Sequence, residues 1–163
     1  MSKSTAAPAE PIEFEAEFID ALKHIFEEKI TFNHVLGLKI TSIRPEMVTG
    51  RIEMKPDLLG SFVHNRMHGG VISAALDAMA GLACTAAMGA RHMDEPPLQR
   101  LQRFGKLGTI DLRVDYLRPA IGHHFDLRAE VMRLGSRVAS TRMEFLAADG
   151  KLLSTGAGAY IVS

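Results

Sequence analysis

The chain has 163 residues, 47 % hydrophobic and 23 % charged, the size and composition of one ordinary globular domain. Nineteen basic residues balance nineteen acidic ones without a dense Lys/Arg run, which argues against a nucleic-acid partner. The single cysteine, Cys84, excludes an internal disulfide and lies in an apolar run where a small buried hydrophobe is expected, so a reducing, cytoplasmic setting fits.

Residues 1–12, rich in Ala, Ser, Pro and Glu, lack the basic start and apolar stretch of a secretory signal and are expected to form a flexible tail. A single domain is expected over 13–163. Phe14, Phe18, Leu22, Ile25, Phe26 and Ile30 recur at helical spacing with acidic residues between them, which predicts an amphipathic surface helix. A short helical piece around Asn33 to Leu36 should stop at Gly37, a residue suited to a left-handed turn. Leu38–Ile43 and Val48–Met54, separated by Pro45–Glu46–Met47, predict a hairpin, and Pro56 to Met67 reads as a loop.

From Gly69 to Gly89 there is one charge in 21 residues. Length and hydropathy admit a membrane span, but the central Asp77, four glycines and many alanines favour a buried core helix ending at Gly89, with no membrane span. Arg91 to Lys106 reads as a polar connection. Beyond it, Ile110, Leu112, Val114 and Tyr116 alternate with Thr109, Asp111, Arg113 and Asp115, placing the two sets on opposite faces of a strand. Phe125–Val131, Val138–Leu146 and Leu152–Val162 predict three more strands joined by turns, an antiparallel meander. The fold class is α+β, an antiparallel sheet wrapped around a long central helix.

Asp77 is the leading candidate for chemistry, because it is the only charged residue in a helix that reads as apolar on every side. A buried carboxylate costs several kcal/mol unless it is paired, so its place needs a reason, which pairing to an Arg or to backbone amides would also supply. His68–Gly69–Gly70 opens the same helix. Glycines let a ligand approach the backbone, and the free amides of a first helical turn suit an oxyanion, although a histidine-capped turn gives the same tripeptide.

His68–Gly69–Gly70, Asp77 eight residues beyond Gly69, and the strand motif Gly108–Thr109–Ile110–Asp111–Leu112–Arg113–Val114–Asp115–Tyr116–Leu117–Arg118–Pro119 together resemble the PaaI-type hotdog-fold acyl-CoA thioesterases, most of all the bacterial YigI-like group. That resemblance implies an antiparallel sheet around a long helix, with two chains joining sheets edge to edge. It implies hydrolysis of an acyl-CoA, of medium- to long-chain or aryl type, to the free acid and CoA. It casts Gly69 as oxyanion donor, Asp77 as general base or nucleophile, Thr109 as an assisting hydroxyl and His68 as a group that orients the helix start or polarises the carbonyl. Asn65 and Gly70 are implied near the substrate and the turn Gly135–Ser136–Arg137 near the CoA phosphates, while Arg118, which follows the strand motif, is a candidate at the mouth of the site; a solvated surface arginine is the alternative for Arg118 and Arg137. No metal or other cofactor is implied. The rivals are an acyl-thioester hydratase or dehydratase on the same fold, and a non-catalytic acyl-CoA-binding sensor.

One expectation needs no family. Eight helical residues set Gly69 and Asp77 about 12 Å apart along the axis, whereas a donor and a base acting on one carbonyl must each lie within about 3–4 Å of it. If both act, they come from different chains, so a homodimer is the minimum unit. A homotetramer is the expected assembly.

Overall fold

The structure, a computed structural model, describes residues 12–163; residues 1–11 of the expected tail lie outside the described residues. Helix α1 spans Ala16–His24, and Phe14, Phe18, Leu22 and Phe26, spaced by four, form one buried stripe. The helix does not run regularly to Ile30. It widens into a π-turn, Ile25–Lys29, before α2, Thr31–Leu36. The buried Asn33 amide donates to the Phe26 carbonyl at 3.0 Å, a partner for a backbone group on that turn. Gly37, with φ of 72°, stops α2 as expected.

Strands β1 (Lys39–Ile43) and β2 (Val48–Glu53) form the hairpin. The stretch expected as a loop contains a 3-10 turn, Pro56–Leu58, and a small ribbon of β3 (Leu59–Ser61) and β4 (Arg66–Met67). Helix α3, Gly69–Ala90, follows and is the core helix, buried along most of its length. The polar connection after it is partly helical: α4 spans Pro97–Leu101, with a proline at the position where a missing N–H costs nothing, and runs into a 3-10 turn, Gln102–Lys106. Strands β5 (Gly108–Tyr116), β6 (His124–Leu134), β7 (Val138–Ala147) and β8 (Leu152–Ile161) complete the chain.

Six strands make one antiparallel sheet in the order β1-β2-β6-β7-β8-β5. The meander is β6–β7–β8, whereas β5 pairs with β8 and forms an edge of the sheet. The sheet curls over α3, whose Leu76, Met79, Ala80 and Leu82 pack in one core with Ile52, Phe125, Leu127, Met143 and Phe145. Cys84 is buried there, and burial pushes its thiol up to about 12.

Gly89 does not end α3, which continues to Ala90. Its absent side chain has a packing reason: a Cβ at this position would lie 2.5 Å from the Phe18 ring, so glycine lets α1 close onto the last turn of α3. Arg100 of α4, 1 % exposed, belongs to the same contact. Its guanidinium lies 4.5 Å from the centre of the Phe18 ring and forms an ion pair with Glu15.

Strand β5 departs from simple alternation. Thr109 pairs with Tyr160 while Asp111 pairs with Ala159, so Ile110 is the extra residue of a bulge. One inserted residue reverses which face the residues before it occupy. Thr109, expected on the face of Asp111 and Arg113, therefore shares the helix side with Tyr160, and Ile110 is left 55 % exposed.

Candidate active site

Asp77 lies on the least buried stripe of α3, with Ala74 and Ala78 beside it. The helix is thus not apolar and buried on every side, and Asp77 is half-buried at the wall of a cavity of about 260 Å³. Small residues of α3, Ala74, Ala78 and Gly81, leave the space; Phe26, Phe32, Phe104 and Leu107 close it with apolar surface. Phe26 and Phe104 meet edge to face, ring centres 5.4 Å apart.

Two hydroxyls hold the carboxylate. Thr109 Oγ1 donates to Asp77 Oδ1 at 3.0 Å, and the Tyr160 phenol donates to the same oxygen at 2.9 Å. Oδ2 accepts no hydrogen bond from the described residues. Burial first, and then the charge of Asp77, push the Tyr160 phenol well above its ordinary range, so it stays protonated and remains a donor.

The first turn of α3 faces a different cavity, about 550 Å³, lined by His68, Gly69, Tyr116 and Arg118 among others. Gly69 is the first residue of the helix, where its amide has no acceptor within the helix. Tyr116 donates to the Gly69 carbonyl at 2.8 Å, and a Cβ at Gly69 would sit 3.4 Å from its ring. His68 caps the helix: Nδ1 accepts from the Gly70 amide at 2.9 Å, so the neutral ring carries its proton on Nε2. Gly69 and Asp77 of one chain thus border separate cavities.

The sequence profile of the thioesterase superfamily matches residues 64–154, a span that includes the helix start, Asp77 and the Thr109 strand. A relative from Salmonella typhimurium, described as the medium/long-chain acyl-CoA thioesterase YigI, is 34 % identical over 138 residues, which is 85 % of this chain and 89 % of that one. This chain belongs to the thioesterase superfamily. The Escherichia coli K12 protein of the same description is 33 % identical over the same shares of the two chains. A solved Shewanella oneidensis structure, described as related to the thioesterase superfamily, superposes with a TM-score of 0.84 at 37 % identity, covering 91 % of this chain and 97 % of that one. The six-stranded sheet around α3 is the hotdog fold of this superfamily.

The other sequence candidates fall in three places. Asn65 sits in the turn between β3 and β4 with φ of 47°, a left-handed conformation that Asn tolerates, and it lines neither cavity. Arg118 lines the Gly69 cavity and donates to the Leu152 carbonyl at 2.9 Å. Gly135 and Ser136 border a third cavity, about 320 Å³, with Arg91, Arg103 and Lys106; Arg137 is outside its lining, and its carbonyl accepts from Val162. Lys106 leads directly into Leu107, Gly108 and Thr109, so the basic cavity adjoins the Asp77 cavity along the start of β5.

Tyr160, Phe26, Phe104 and Lys106 were not legible as site residues in the thioesterase sequence. The one signal for Tyr160 is its place as a large polar aromatic after Gly156 and Gly158, in a strand of small residues facing a helix.

Proposed function

We propose that this chain hydrolyses acyl-CoA thioesters, of medium- to long-chain or aryl type, to the free acid and CoA. The observation that carries the proposal is the Asp77 carboxylate, held by hydroxyls at the wall of an apolar cavity whose neighbour is basic. The two cavities match the two poles of the substrate. An acyl chain would lie among Phe26, Phe32, Phe104 and Leu107, and the CoA phosphates near Arg91, Lys106 and the Gly135–Ser136 turn. The relatives' description as medium/long-chain acyl-CoA thioesterases supports the same substrate class.

The working site draws on two chains. Among the described residues strand β5 is an edge strand, and it carries Thr109 beside Asp77 at its start and Tyr116 beside Gly69 at its end. Two copies of β5 pairing antiparallel about a two-fold axis run start against end, which brings Thr109 of one chain toward Tyr116 of its partner. Asp77 then meets the partner's Gly69, the arrangement that the helical rise demands.

In such a site Asp77 takes a proton from water as the water oxygen bonds to the carbonyl carbon. The carbonyl electron pair moves onto oxygen, where the amide of the partner's Gly69 stabilises it. Collapse re-forms the carbonyl and breaks the C–S bond, and the departing sulfur recovers the proton from Asp77. The products are the free acid and CoA thiol.

The test is release of free thiol from a series running from acetyl- to palmitoyl-CoA with one aryl-CoA included. Hydration or dehydration of an acyl thioester releases no thiol, and a sensor turns nothing over. Absence of thiol release across the series rejects the proposal.

A further inference from the structure

The Tyr160 side chain is 1 % exposed, yet its one polar atom reaches a carboxylate that borders a cavity. Its position is set from two sides. Across the ladder it pairs with Thr109, and residues directly opposite in an antiparallel pair project from the same face. Along β8, a Cβ at Gly158 would stand 2.9 Å from Tyr160 Cε2 and 3.1 Å from its hydroxyl. The phenol therefore lies over Gly158 with its oxygen aimed at α3, and any larger residue there would move it.

Both hydroxyls end on Oδ1, and Oδ2 is left unclaimed by the described residues. A carboxylate that serves only to satisfy the core would gain more from spreading its donors over both oxygens, since each oxygen offers two lone-pair sites. Two donors on one oxygen instead fix the rotation of the group and leave the other oxygen, which is the more basic of the two, for a proton in flight.

We propose that Tyr160 is a positioning residue for hydrolysis: with Thr109 it anchors Asp77 by Oδ1, so that Oδ2 is the atom that takes the proton of the attacking water. This rests on Asp77 being the general base. Tyr160, whose hydroxyl ends on Asp77 Oδ1, acts through that carboxylate.

The test is steady-state hydrolysis of one acyl-CoA by Tyr160→Phe, Asp77→Asn and the double variant. Tyr160→Phe removes a single oxygen, and kcat is expected to fall about tenfold, the worth of one hydrogen bond, with KM within about twofold. In the Asp77→Asn background the same change should alter the residual rate by less than about twofold, because the group it positions is gone. Gly158→Ala is the second variant: its methyl presses the phenol off Asp77 without deleting the hydroxyl, and it should lower kcat in wild type but not in Tyr160→Phe. Unchanged kcat in both Tyr160→Phe and Gly158→Ala overturns the proposal. So does an equal fold-loss from Tyr160→Phe with and without Asp77, which is what a purely structural tyrosine gives. If Asp77→Asn itself hydrolyses at nearly the wild-type rate, the assignment of Asp77 as base falls, and the role of Tyr160 falls with it.

Discussion

Thr109 and Tyr160 face each other across the β5–β8 ladder and donate to the same oxygen of Asp77, at 3.0 and 2.9 Å. The bulge at Ile110 makes this possible by turning Thr109 toward α3. Thr109→Val keeps the branched shape and removes the donor, so kcat should drop about tenfold, as for one hydrogen bond. Thr109→Ser should recover most of it, which steady-state kinetics on the purified variants will show.

Asp77→Asn retains size and both neighbouring hydroxyls but loses the charge that accepts a proton. Its kcat should be lower by about 10²-fold or more, the scale of general-base loss. Circular dichroism should match wild type, because Asp77 is half-buried and water can serve its amide. Activity within a few-fold of wild type would remove Asp77 from the chemistry.

Gly69 and Asp77 border separate cavities of one chain, so two inactive variants should complement each other. Asp77→Asn and Gly69→Pro, the latter deleting the amide donor, are mixed under conditions that exchange subunits. In a mixed two-fold dimer one site holds both defects and the other holds none. Random pairing makes half the dimers mixed, so about a quarter of wild-type activity is the ceiling under this symmetry. Verified exchange with no recovered activity would mean that each chain acts alone.

Phe104 is half-buried and closes the Asp77 cavity together with Phe26. Phe104→Ala lengthens the apolar space, so kcat/KM should shift toward longer acyl chains. The gain should approach about fourfold per added methylene, the equivalent of about 0.8 kcal/mol for each one buried. An unchanged chain-length profile would place the acyl group elsewhere.

Arg100 joins α4 to α1 through Glu15 and the Phe18 ring, and its side chain is wholly buried. Arg100→Ala should destabilise the fold by about 2–3 kcal/mol, chiefly from the void and the lost ring contact, measured by urea unfolding. The Arg100 hydrogen bond, and then one from its own backbone, hold the Glu15 carboxyl below its ordinary value of 4.5. A depressed carboxyl stabilises the fold above its unfolded value and loses that contribution as pH falls through its folded value. The stability gap between wild type and Glu15→Gln should therefore be present at neutral pH and close in strongly acid solution.

The parts of this protein that were legible in its sequence are those governed by local chemistry. The apolar run of α3, the stop at Gly37, the hairpin of β1 and β2 and the strands of the meander all follow from periodicity and turn residues. Asp77 stood out because charge is scarce around it. What escaped was set by partners distant in sequence. The bulge at Ile110 is a property of how β5 registers on β8, and simple alternation put Thr109 on the wrong face. Tyr160 lies in a strand read from its alternation, and its link to Asp77 depends on α3 lying beside that strand. The burial of Arg100, within a stretch that reads as a polar connection, depends on Glu15 and the Phe18 ring, neither of which is near it in the chain.

The burial of Cys84 has a practical consequence for the bench. A thiol pushed up to about 12 and sealed in the core scarcely ionises at assay pH, and the thiolate is the form that attacks disulfide reagents. Colour developed by such a reagent in the folded state therefore comes from released CoA, with no background from the enzyme itself. Left without substrate, the same mixture becomes a clock for the opening of the core: the protein's one thiol reacts only when α3 lifts from the sheet, so its slow labelling times that motion directly.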